Sequence, residues 1–356
     1  MKIENNYSLK HLNAFKVEAS AKFFTEIHTE SDLLELAKQK QLVSEEHFVL
    51  GSGTNTLLTK NFNGLVIKMA IRNINVLKET DESALLEIGA GESWNGLVHY
   101  AINNGFSGVE NMVLIPGSVG AAPVQNIAAY GQNLEDVFDS LDAFDIKSGD
   151  MVNFKKKDCE FAYRDSLFKQ KGKGNFIITK VRLNLLKNEH IDTSYHSRYG
   201  SLTGELEKFT KPPYNVRDVA KAVTRIRETK FPDWEKVGTA GSFFLNPVIS
   251  KDKLIKLQKK VPEVQYYPVD KLTYPTPNVP EFDHANHVKV AAGWLLEELG
   301  WKGKRIGNVG TSPKQSLVVI NYGGATAKEI LEFTKKMQEE MKISYDIDLV
   351  PEVNII

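Results

Sequence analysis

Two glycine-rich loops constrain this chain more than any other feature of its sequence. The first loop is Gly51-Ser52-Gly53-Thr54-Asn55, directly after the apolar segment Phe48-Val49-Leu50. The second runs from Pro116 to Gly131 and reads Pro-Gly-Ser-Val-Gly-Ala-Ala-Pro-Val-Gln-Asn-Ile-Ala-Ala-Tyr-Gly. Glycine permits positive φ and lets main-chain N–H groups approach an anion closely. Two such loops predict a site for a long ligand that carries a pyrophosphate, such as a dinucleotide.

Either loop could instead be an ordinary turn, because Gly, Ser and Asn are common in turns. The second loop argues against this, since it carries few charges and many small residues and has the character of a helix start. Neither loop is followed by the Gly-Lys-Ser/Thr of a Walker A loop. Neither matches the G-x-G-x-x-G pattern of a standard nicotinamide-binding domain, so that domain is not indicated.

Composition narrows the class of protein further. The 356 residues include 45 basic and 45 acidic side chains, so no net field attracts nucleic acid or an anionic membrane. Cys159 is the single cysteine, which excludes an internal disulfide, and its acidic neighbours disfavour a reactive thiolate. There is no signal-peptide core and no apolar run of about 18 residues. We expect a cytoplasmic, monomeric enzyme with a small soluble substrate, no metal, and no nucleic-acid or membrane partner.

The spacing of apolar residues predicts an α+β protein with a domain boundary near residues 190–216. Residues 186–215 are polar and are expected to form a loop, and the lysine-rich stretches 155–157 and 169–173 are expected to be solvated surface. The predicted helices cover 30–40, 94–104, 216–229, 253–259, 288–299 and 325–342. The predicted strands cover 48–50, 65–67, 85–88, 176–178, 316–320 and 347–356.

Three polar residues stand in settings that could support chemistry. Arg164 follows Phe161-Ala162-Tyr163; it could bind a carboxylate, or simply pair with Asp165. Ser242, in Gly-Ser-Phe-Phe, could deliver a proton from an apolar pocket, or serve as a turn residue, and no Gly-x-Ser-x-Gly elbow is present. Glu352 lies in the apolar terminal segment and could be a paired buried carboxylate or an ordinary edge-strand residue. The local sequence alone does not connect the three.

The two loops, followed in order by Tyr-Arg-Asp-Ser, Gly-Ser-Phe-Phe-x-Asn-Pro and a terminal Pro-Glu-Val, closely resemble the UDP-N-acetylenolpyruvoylglucosamine reductase family. The resemblance runs from about residue 7 to the end, and Ala128-Ala129 stands where the family often has a glycine. It implies an FAD-binding domain of the vanillyl-alcohol-oxidase (PCMH) type in two subdomains, followed by an α+β substrate domain. The implied ranges are 1–70 with the returning strand 345–356, 71–215, and 216–344.

The resemblance also implies an activity in bacterial cell-wall precursor synthesis. NADPH would reduce FAD, and hydride would pass from flavin N5 to the vinyl CH₂ carbon of UDP-N-acetylglucosamine enolpyruvate, giving UDP-N-acetylmuramate. Ser242 would protonate the adjacent carbon, while Arg164 and Glu352 would stabilise the enolate. A bare carboxylate would repel that enolate, so Glu352 is expected to be protonated or to act through a donor.

The resemblance implies two sets of binding residues in this sequence, one for FAD and one for the substrate. The implied FAD-binding residues are Gly51, Ser52, Gly53, Thr54, Asn55, Pro116, Gly117, Ser118, Val119, Gly120, Ala121, Gln125 and Asn126. The implied substrate-binding residues are Tyr199, Arg227, Lys230, Asn246 and Gln315. Tyr199 resembles the tyrosine loop of the family's first type, which closes over the bound nucleotide-sugar.

Two other functions remain open on the sequence. One is a different FAD-dependent oxidoreductase of the same cofactor fold, such as an oxidase of hydroxyl-bearing substrates, which would share the glycine loops but not the Ser242 and Glu352 pair. The other is a nucleotide-binding regulatory module without turnover. Oxygen consumption without NADPH would favour the first, and a colourless protein that takes up no FAD would favour the second.

Overall fold

The computed structural model describes residues 1–39, 45–187, 191–197, 200–234, 236–269 and 286–356. These residues form two compact units. Unit 1 consists of Met1–Tyr7, Ala21–Ser52 and Phe62–Arg227; unit 2 consists of Ser8–Ser20, Gly53–Asn61 and Glu228–Ile356. Both units mix helices with strands, so the chain is α+β as predicted. The three-part division proposed from the sequence stays a prediction.

The regular elements of the described chain are short, apart from a few long strands and helices. The strands are β1 (Glu4–Ser8), β2 (Ser20–Ile27), β3 (His47–Leu50), β4 (Thr56–Leu57), β5 (Phe62–Met69), β6 (Ile74–Glu79), β7 (Ser83–Gly89), β8 (Ala128–Ala129), β9 (Gln132–Asn133), β10 (Phe138–Asp145), β11 (Met151–Lys155), β12 (Phe176–Leu186), β13 (His196–Ser197), β14 (Gly200–Ser201), β15 (Val248–Ser250), β16 (Tyr266–Tyr267), β17 (His287–Val290), β18 (Arg305–Ile306), β19 (Val309–Thr311), β20 (Val319–Asn321) and β21 (Asn354–Ile355). The helices are α1 (Glu30–Leu36), α2 (Trp94–Asn103), α3 (Leu134–Val137), α4 (Leu202–Leu206), α5 (Val216–Lys230), α6 (Lys251–Lys260), α7 (Ala292–Glu298) and α8 (Ala327–Tyr345). None of these helices is both long and apolar enough to cross a membrane.

Unit 1 is built on two sheets. The first has the order β1-β2-β5-β3, and its central strand β5 runs parallel to β2 and β3. Leu65, Val66 and Ile67 of β5 are all buried, as expected for a parallel strand covered on both faces. The second sheet has the order β11-β10-β12-β7-β6 and is antiparallel. Strand β3 ends at Leu50, directly before the first predicted ligand loop.

Helix α2 anchors the second glycine loop. Ser93 caps its start by accepting a hydrogen bond from the Gly96 N–H at 3.3 Å. The buried Trp94 donates from its main-chain N to the Gly117 carbonyl at 3.0 Å, and from Nε1 to the Met112 carbonyl at 3.2 Å. Gly105 follows the helix with φ +72°, the left-handed conformation in which helices commonly end.

Unit 2 contains two three-stranded antiparallel sheets, β15-β17-β16 and β18-β19-β20, together with α6, α7 and α8. Its core is rich in aromatic residues. Phe243 packs edge-on against Phe15 and Phe244, with ring centroids 6.2 and 5.0 Å apart. Trp301 packs against Phe333 of α8 at 5.3 Å. Segment 8–20, which carries Phe15, therefore joins the C-terminal half of the chain rather than the strands that follow it in sequence.

Three sequence predictions are wrong in detail. Residues 288–299 are not one helix, because the alternating Val288-Lys289-Val290 lies in β17 and only Ala292–Glu298 is helical. The predicted strand 316–320 begins at Val319, since the Val318 N–H turns back to the Gln315 carbonyl. Segment 186–215 is not all loop: Ser201 caps the short helix α4, whose Leu202 and Leu206 are fully buried.

The terminal strand is also shorter than predicted. Only Asn354–Ile355 forms a strand, β21, which pairs in parallel with β4. Pro351 interrupts the ladder because it has no N–H to donate, and it makes only an isolated bridge to Phe244. The end of the chain nevertheless returns to the segment that follows the first glycine loop.

Replacing Asn321 by alanine should destabilise unit 2. The buried Asn321 donates to the Phe15 carbonyl at 2.8 Å and accepts from the Gly323 and Ala325 N–H groups. Their loss leaves buried main-chain groups unpaired, so we expect the free energy of unfolding to fall by about 3 kcal/mol. Urea unfolding would measure this, with Asn308→Ala as an exposed control. Equal stability of the two variants would contradict the assignment.

Candidate active site

The two glycine loops meet in unit 1 at Gly51 and Ser118. A Cβ atom placed on Gly51 would lie 2.4 Å from the Ser118 Oγ and 3.4 Å from the Ala121 Cβ. The Gly51 carbonyl also accepts a hydrogen bond from Lys68 Nζ. Burial lowers the pKa of that ammonium, and the nearby Glu26 partly offsets the effect. A side chain at position 51 would therefore displace the Ser118 hydroxyl at the point where the two loops meet.

The residues that directly follow β7 hold the second loop in place. Val119 and Gly120 donate their N–H groups to the carbonyls of Glu92 and Ala90, at 2.8 and 2.9 Å. A Cβ on Gly120 would lie 2.5 Å from the Ala90 Cβ and 3.0 Å from its Cα. This contact leaves no room for a side chain, so the loop lies directly on the main chain of Ala90.

The loops keep several main-chain donors for a ligand. Within the part of the chain that the structure describes, the N–H groups of Gly51, Ser52, Gly117 and Ser118 donate to no protein acceptor. Unpaired N–H groups on glycine-rich loops form anion-binding concavities. These residues therefore fit the pyrophosphate of FAD, and in unit 1 they would supply its main-chain hydrogen bonds.

The rest of the first loop belongs to unit 2. Gly53 has φ +65°, and a Cβ there would overlap the Leu12 carbonyl oxygen at 1.9 Å. Asn55 donates from Nδ2 to the Glu352 carbonyl at 3.2 Å and accepts from the Asn354 N–H at 3.0 Å. Asn55 is predicted to bind FAD. In the structure it also holds the terminal segment that carries Glu352, the candidate carboxylate.

Asn126 is engaged with protein groups. It adopts φ +42°, donates to the Ala162 carbonyl at 3.2 Å and accepts from the Glu135 N–H at 3.2 Å. These bonds join the loop to the segment that carries Arg164. The FAD contacts predicted for the remaining loop residues stay predictions; they are Thr54, Pro116, Val119, Ala121, Gln125 and Asn126 itself.

Arg164 occupies a strained turn in unit 1. Ala162 and Asp165 exchange main-chain hydrogen bonds at 3.0 and 3.2 Å, so Tyr163 and Arg164 are the two central residues of a tight turn. Arg164 has φ +55°, in the left-handed region that glycine favours at this position. Its Nη2 donates to the Ala128 carbonyl at 2.9 Å. A bulky residue kept at a strained position points to a functional requirement for its side chain.

Ser242 and Glu352 lie on adjoining segments of unit 2. Ser242 forms a bridge with Val318, and Phe243 donates its N–H to the Leu317 carbonyl at 2.8 Å. On the other side, the Glu352 N–H donates to the Phe243 carbonyl at 2.8 Å. Both Ser242 and Glu352 are half-buried. The structure thus brings the second and third candidate residues onto adjoining segments of unit 2, whereas Arg164 belongs to unit 1 and its approach to them stays a prediction.

Arg227 lies in a buried polar cluster of unit 1. Its Nη2 donates to the Leu114 carbonyl at 3.0 Å, and its guanidinium hydrogen-bonds with Tyr130. Burial lowers the pKa of Arg227 and raises the pKa of Tyr130 to about 12. The edge of the Tyr195 ring packs against Tyr130 with centroids 4.9 Å apart. Sequence reasoning did not assign Tyr130, although it lies inside the quoted loop motif.

Two other predicted substrate contacts have structural partners in unit 2. Asn246 Oδ1 accepts from the Ala292 N–H at 3.0 Å and so caps α7. Gln315 Oε1 accepts from the Leu317 N–H at 3.5 Å, and a Cβ on Gly293 would lie 2.8 Å from that oxygen. Both side-chain amides therefore accept main-chain hydrogen bonds within unit 2. Their contacts with substrate stay predictions.

Lys230 is the last residue of α5. Nearby, Lys314 Nζ donates to the Glu228 carbonyl at 2.7 Å, which satisfies one of the carbonyls at the end of that helix. Tyr199, predicted to close over the substrate, lies outside the described residues. Cys159 is buried, and burial raises the pKa of its thiol to about 12, which disfavours the thiolate.

Replacing Gly120 by alanine should weaken FAD binding. Overpacking against Ala90 costs about 1–3 kcal/mol, so we expect the dissociation constant of FAD to rise roughly 10-fold. Adding Ala90→Gly removes the 2.5 Å contact and should recover part of the affinity. Titration of apoprotein with FAD would measure both, with Gly96→Ala as the control. Unchanged affinity of the single variant would contradict the loop assignment.

Replacing Arg164 by glycine and by alanine should separate backbone strain from side-chain function. Both variants lose the guanidinium, but only glycine relieves the positive φ. We expect Arg164→Gly to be more stable than Arg164→Ala by about 1 kcal/mol, with both inactive. Thermal unfolding of the two proteins measures the difference. A more stable alanine variant would show that the turn is not strained.

Comparisons with known proteins identify two domains in this chain. Residues 22–155 match the family model described as FAD binding domain, and residues 233–356 match the model described as UDP-N-acetylenolpyruvoylglucosamine reductase, C-terminal domain. The first match includes both glycine loops, and the second includes Ser242 and Glu352. The chain therefore carries an FAD-binding domain of the PCMH type, as its sequence predicts.

Full-length relatives extend these matches. The UDP-N-acetylenolpyruvoylglucosamine reductase of Flavobacterium johnsoniae is 41% identical over 100% of both chains, and that of Pseudomonas aeruginosa is 36% identical over 100% of this chain and 99% of its own. The crystal structure of the enzyme from Thermus caldophilus shares the fold, with a TM-score of 0.67, 22% identity, and coverage of 100% of this chain and 99% of that one. This chain belongs to the UDP-N-acetylenolpyruvoylglucosamine reductase family.

Proposed function

We propose that this protein reduces UDP-N-acetylglucosamine enolpyruvate to UDP-N-acetylmuramate with NADPH as co-substrate and FAD as cofactor, in peptidoglycan precursor synthesis. The observation that carries the proposal is the hydrogen bond from the main-chain N–H of Glu352 to the carbonyl of Phe243, the residue after Ser242. This bond joins the segment of the proposed proton donor to the segment of the proposed carboxylate. The names of the full-length relatives give the same reaction class.

The overall reaction adds one hydride and one proton across a carbon–carbon double bond. When bound, FAD accepts hydride from NADPH and passes it to the substrate. The hydride is added to the terminal CH₂ carbon, so the adjacent carbon gains the electron pair of the double bond. That charge spreads into the neighbouring carboxylate, and the chain's own residues must stabilise it and supply the proton.

Arg164 provides positive charge for the enolate. A guanidinium is permanently charged and planar, and it binds a carboxylate or its enolate with two parallel hydrogen bonds. Charge placed where negative charge develops lowers the barrier most strongly in a site that excludes water. The left-handed turn at Arg164 and its bond to Ala128 hold this side chain before substrate binds.

Ser242 provides the proton. Its hydroxyl protonates the carbon next to the carboxylate and regains a proton from solvent. Gly241 precedes it with φ +75°, and the half-buried Ser242 follows this left-handed residue directly. Glu352 acts through a donor hydrogen-bonded to it, since a bare carboxylate would repel the enolate.

The remaining predicted contacts form the nucleotide-sugar site. We propose that Arg227 and Lys230 supply charge for the diphosphate, and that Asn246 and Gln315 supply hydrogen bonds. Tyr199 would close over the substrate. The sequence ranges 1–70 with 345–356, 71–215 and 216–344 would be the two FAD subdomains and the substrate domain. We propose a cytoplasmic monomer, and the neutral composition argues against nucleic-acid and membrane partners.

An anaerobic titration tests the proposed reaction directly. NADPH should bleach the flavin absorbance of the purified protein, and the enolpyruvyl sugar should restore it. Bleaching without recovery would leave a flavoenzyme with another substrate. A protein that takes up no FAD would overturn the interpretation of both glycine loops.

Replacing Ser242 by alanine should separate the two half-reactions. Flavin reduction by NADPH should proceed at close to the wild-type rate, because that step needs no proton from Ser242. Reoxidation by the enolpyruvyl sugar should slow by about 100-fold or more, which is the usual contribution of a positioned general acid. Stopped-flow absorbance measures both rates, with Ser344→Ala as the control. An equal loss in both steps would contradict the proton-donor role.

A further inference from the structure

Lys169 does not behave as the solvated surface residue that its lysine-rich segment predicts. Its side chain is half-buried, and its Nζ donates to the Arg164 carbonyl at 2.8 Å. The other lysines of the segment differ: Lys171 is exposed and pairs with Glu160, and Lys173 is exposed. The ammonium of Lys169 therefore has a specific main-chain target in the turn that carries the proposed enolate-binding guanidinium.

We infer that Lys169 is a positioning residue, which holds Arg164 in the conformation that the reduction of the enolpyruvyl group requires. The inference rests on the proposed function of Arg164. Of the two central residues of the turn, only Arg164 has a positive φ. That conformation disfavours a bulky residue, so it persists only where surrounding bonds determine it. The bond from Lys169 acts on the carbonyl of the strained residue itself.

The other bonds around the turn have a different effect. Ser166 Oγ donates to the Val124 carbonyl at 2.7 Å, and Asn126 donates to the Ala162 carbonyl at 3.2 Å. These bonds attach the turn to the second glycine loop, whereas the bond from Lys169 is made to the Arg164 carbonyl itself. Lys169 restrains the ψ angle of Arg164, and with it the direction in which the guanidinium is presented.

A cation suits this role because the acceptor is a main-chain carbonyl. A charge-assisted hydrogen bond is shorter and stronger than a neutral one, and an ammonium has three donors on a flexible stem. The Arg164 side chain is meanwhile held at its far end by the Ala128 carbonyl. Backbone and guanidinium of the same residue are thus restrained from two sides.

The test compares Lys169→Met with Lys169→Arg and with the matched control Lys173→Met. In Lys169→Met, flavin reoxidation by the enolpyruvyl sugar should slow about 10-fold or more, because small misplacements of catalytic groups have such effects. Flavin reduction by NADPH, the affinity of apoprotein for FAD and the affinity of oxidised protein for the sugar should stay near wild type. Lys169→Arg should restore most of the rate, and Lys173→Met should match wild type.

The outcomes separate this inference from the proposed function. Wild-type reoxidation in Lys169→Met, alongside a loss in Arg164→Ala, would overturn the role of Lys169 alone. Wild-type reoxidation in Arg164→Ala would overturn the function of Arg164 and the inference with it. Equal losses in FAD affinity and in both half-reactions would show a general structural role and overturn the inference. If Lys169→Met does not fold, Lys169→Gln serves in its place with the same criteria.

Discussion

The close approach of main chain to main chain around the second glycine loop is the constraint on which the rest of unit 1 depends. Gly120 lies so near Ala90 that a single added carbon would overlap it, which seats the second loop on the segment after β7. Gly51 lies against the Ser118 hydroxyl, where the two loops meet. They leave the unpaired N–H groups of Gly117 and Ser118 available to an anion. The cofactor site is therefore shaped by the absence of side chains.

The same loop also holds the turn that carries Arg164. Its later residues accept or donate hydrogen bonds to that turn, through Val124, Asn126 and Ala128. The turn that carries the proposed enolate-binding guanidinium is thus attached to the loop proposed to bind the pyrophosphate. The positive φ of Arg164 is the cost of this arrangement, since an arginine stands where glycine would fit without strain.

Sequence patterns predicted the α+β class and the FAD-binding domain better than the boundaries of individual elements. The glycine loops were recognisable because positive φ and close approach demand one residue type. Segment 288–299 was misassigned because a short apolar run does not distinguish a strand from a buried helix. The sequence could not predict the contact of Lys169 for another reason. A lysine that donates to a main-chain carbonyl and a lysine that is solvated can have the same neighbours in the sequence.

Long-range pairing explains why the units are discontinuous in sequence. β4 pairs with β21, so residues just after the first loop join the end of the chain in unit 2. No local pattern around Thr56 encodes that partner, because the contact depends on chain segments almost 300 residues apart. The pairing has a chemical consequence. Asn55 bonds to the carbonyl of Glu352, so the loop predicted to bind FAD also fixes the main chain of the proposed carboxylate. A displacement of Asn55 would therefore shift the main chain of Glu352 with it.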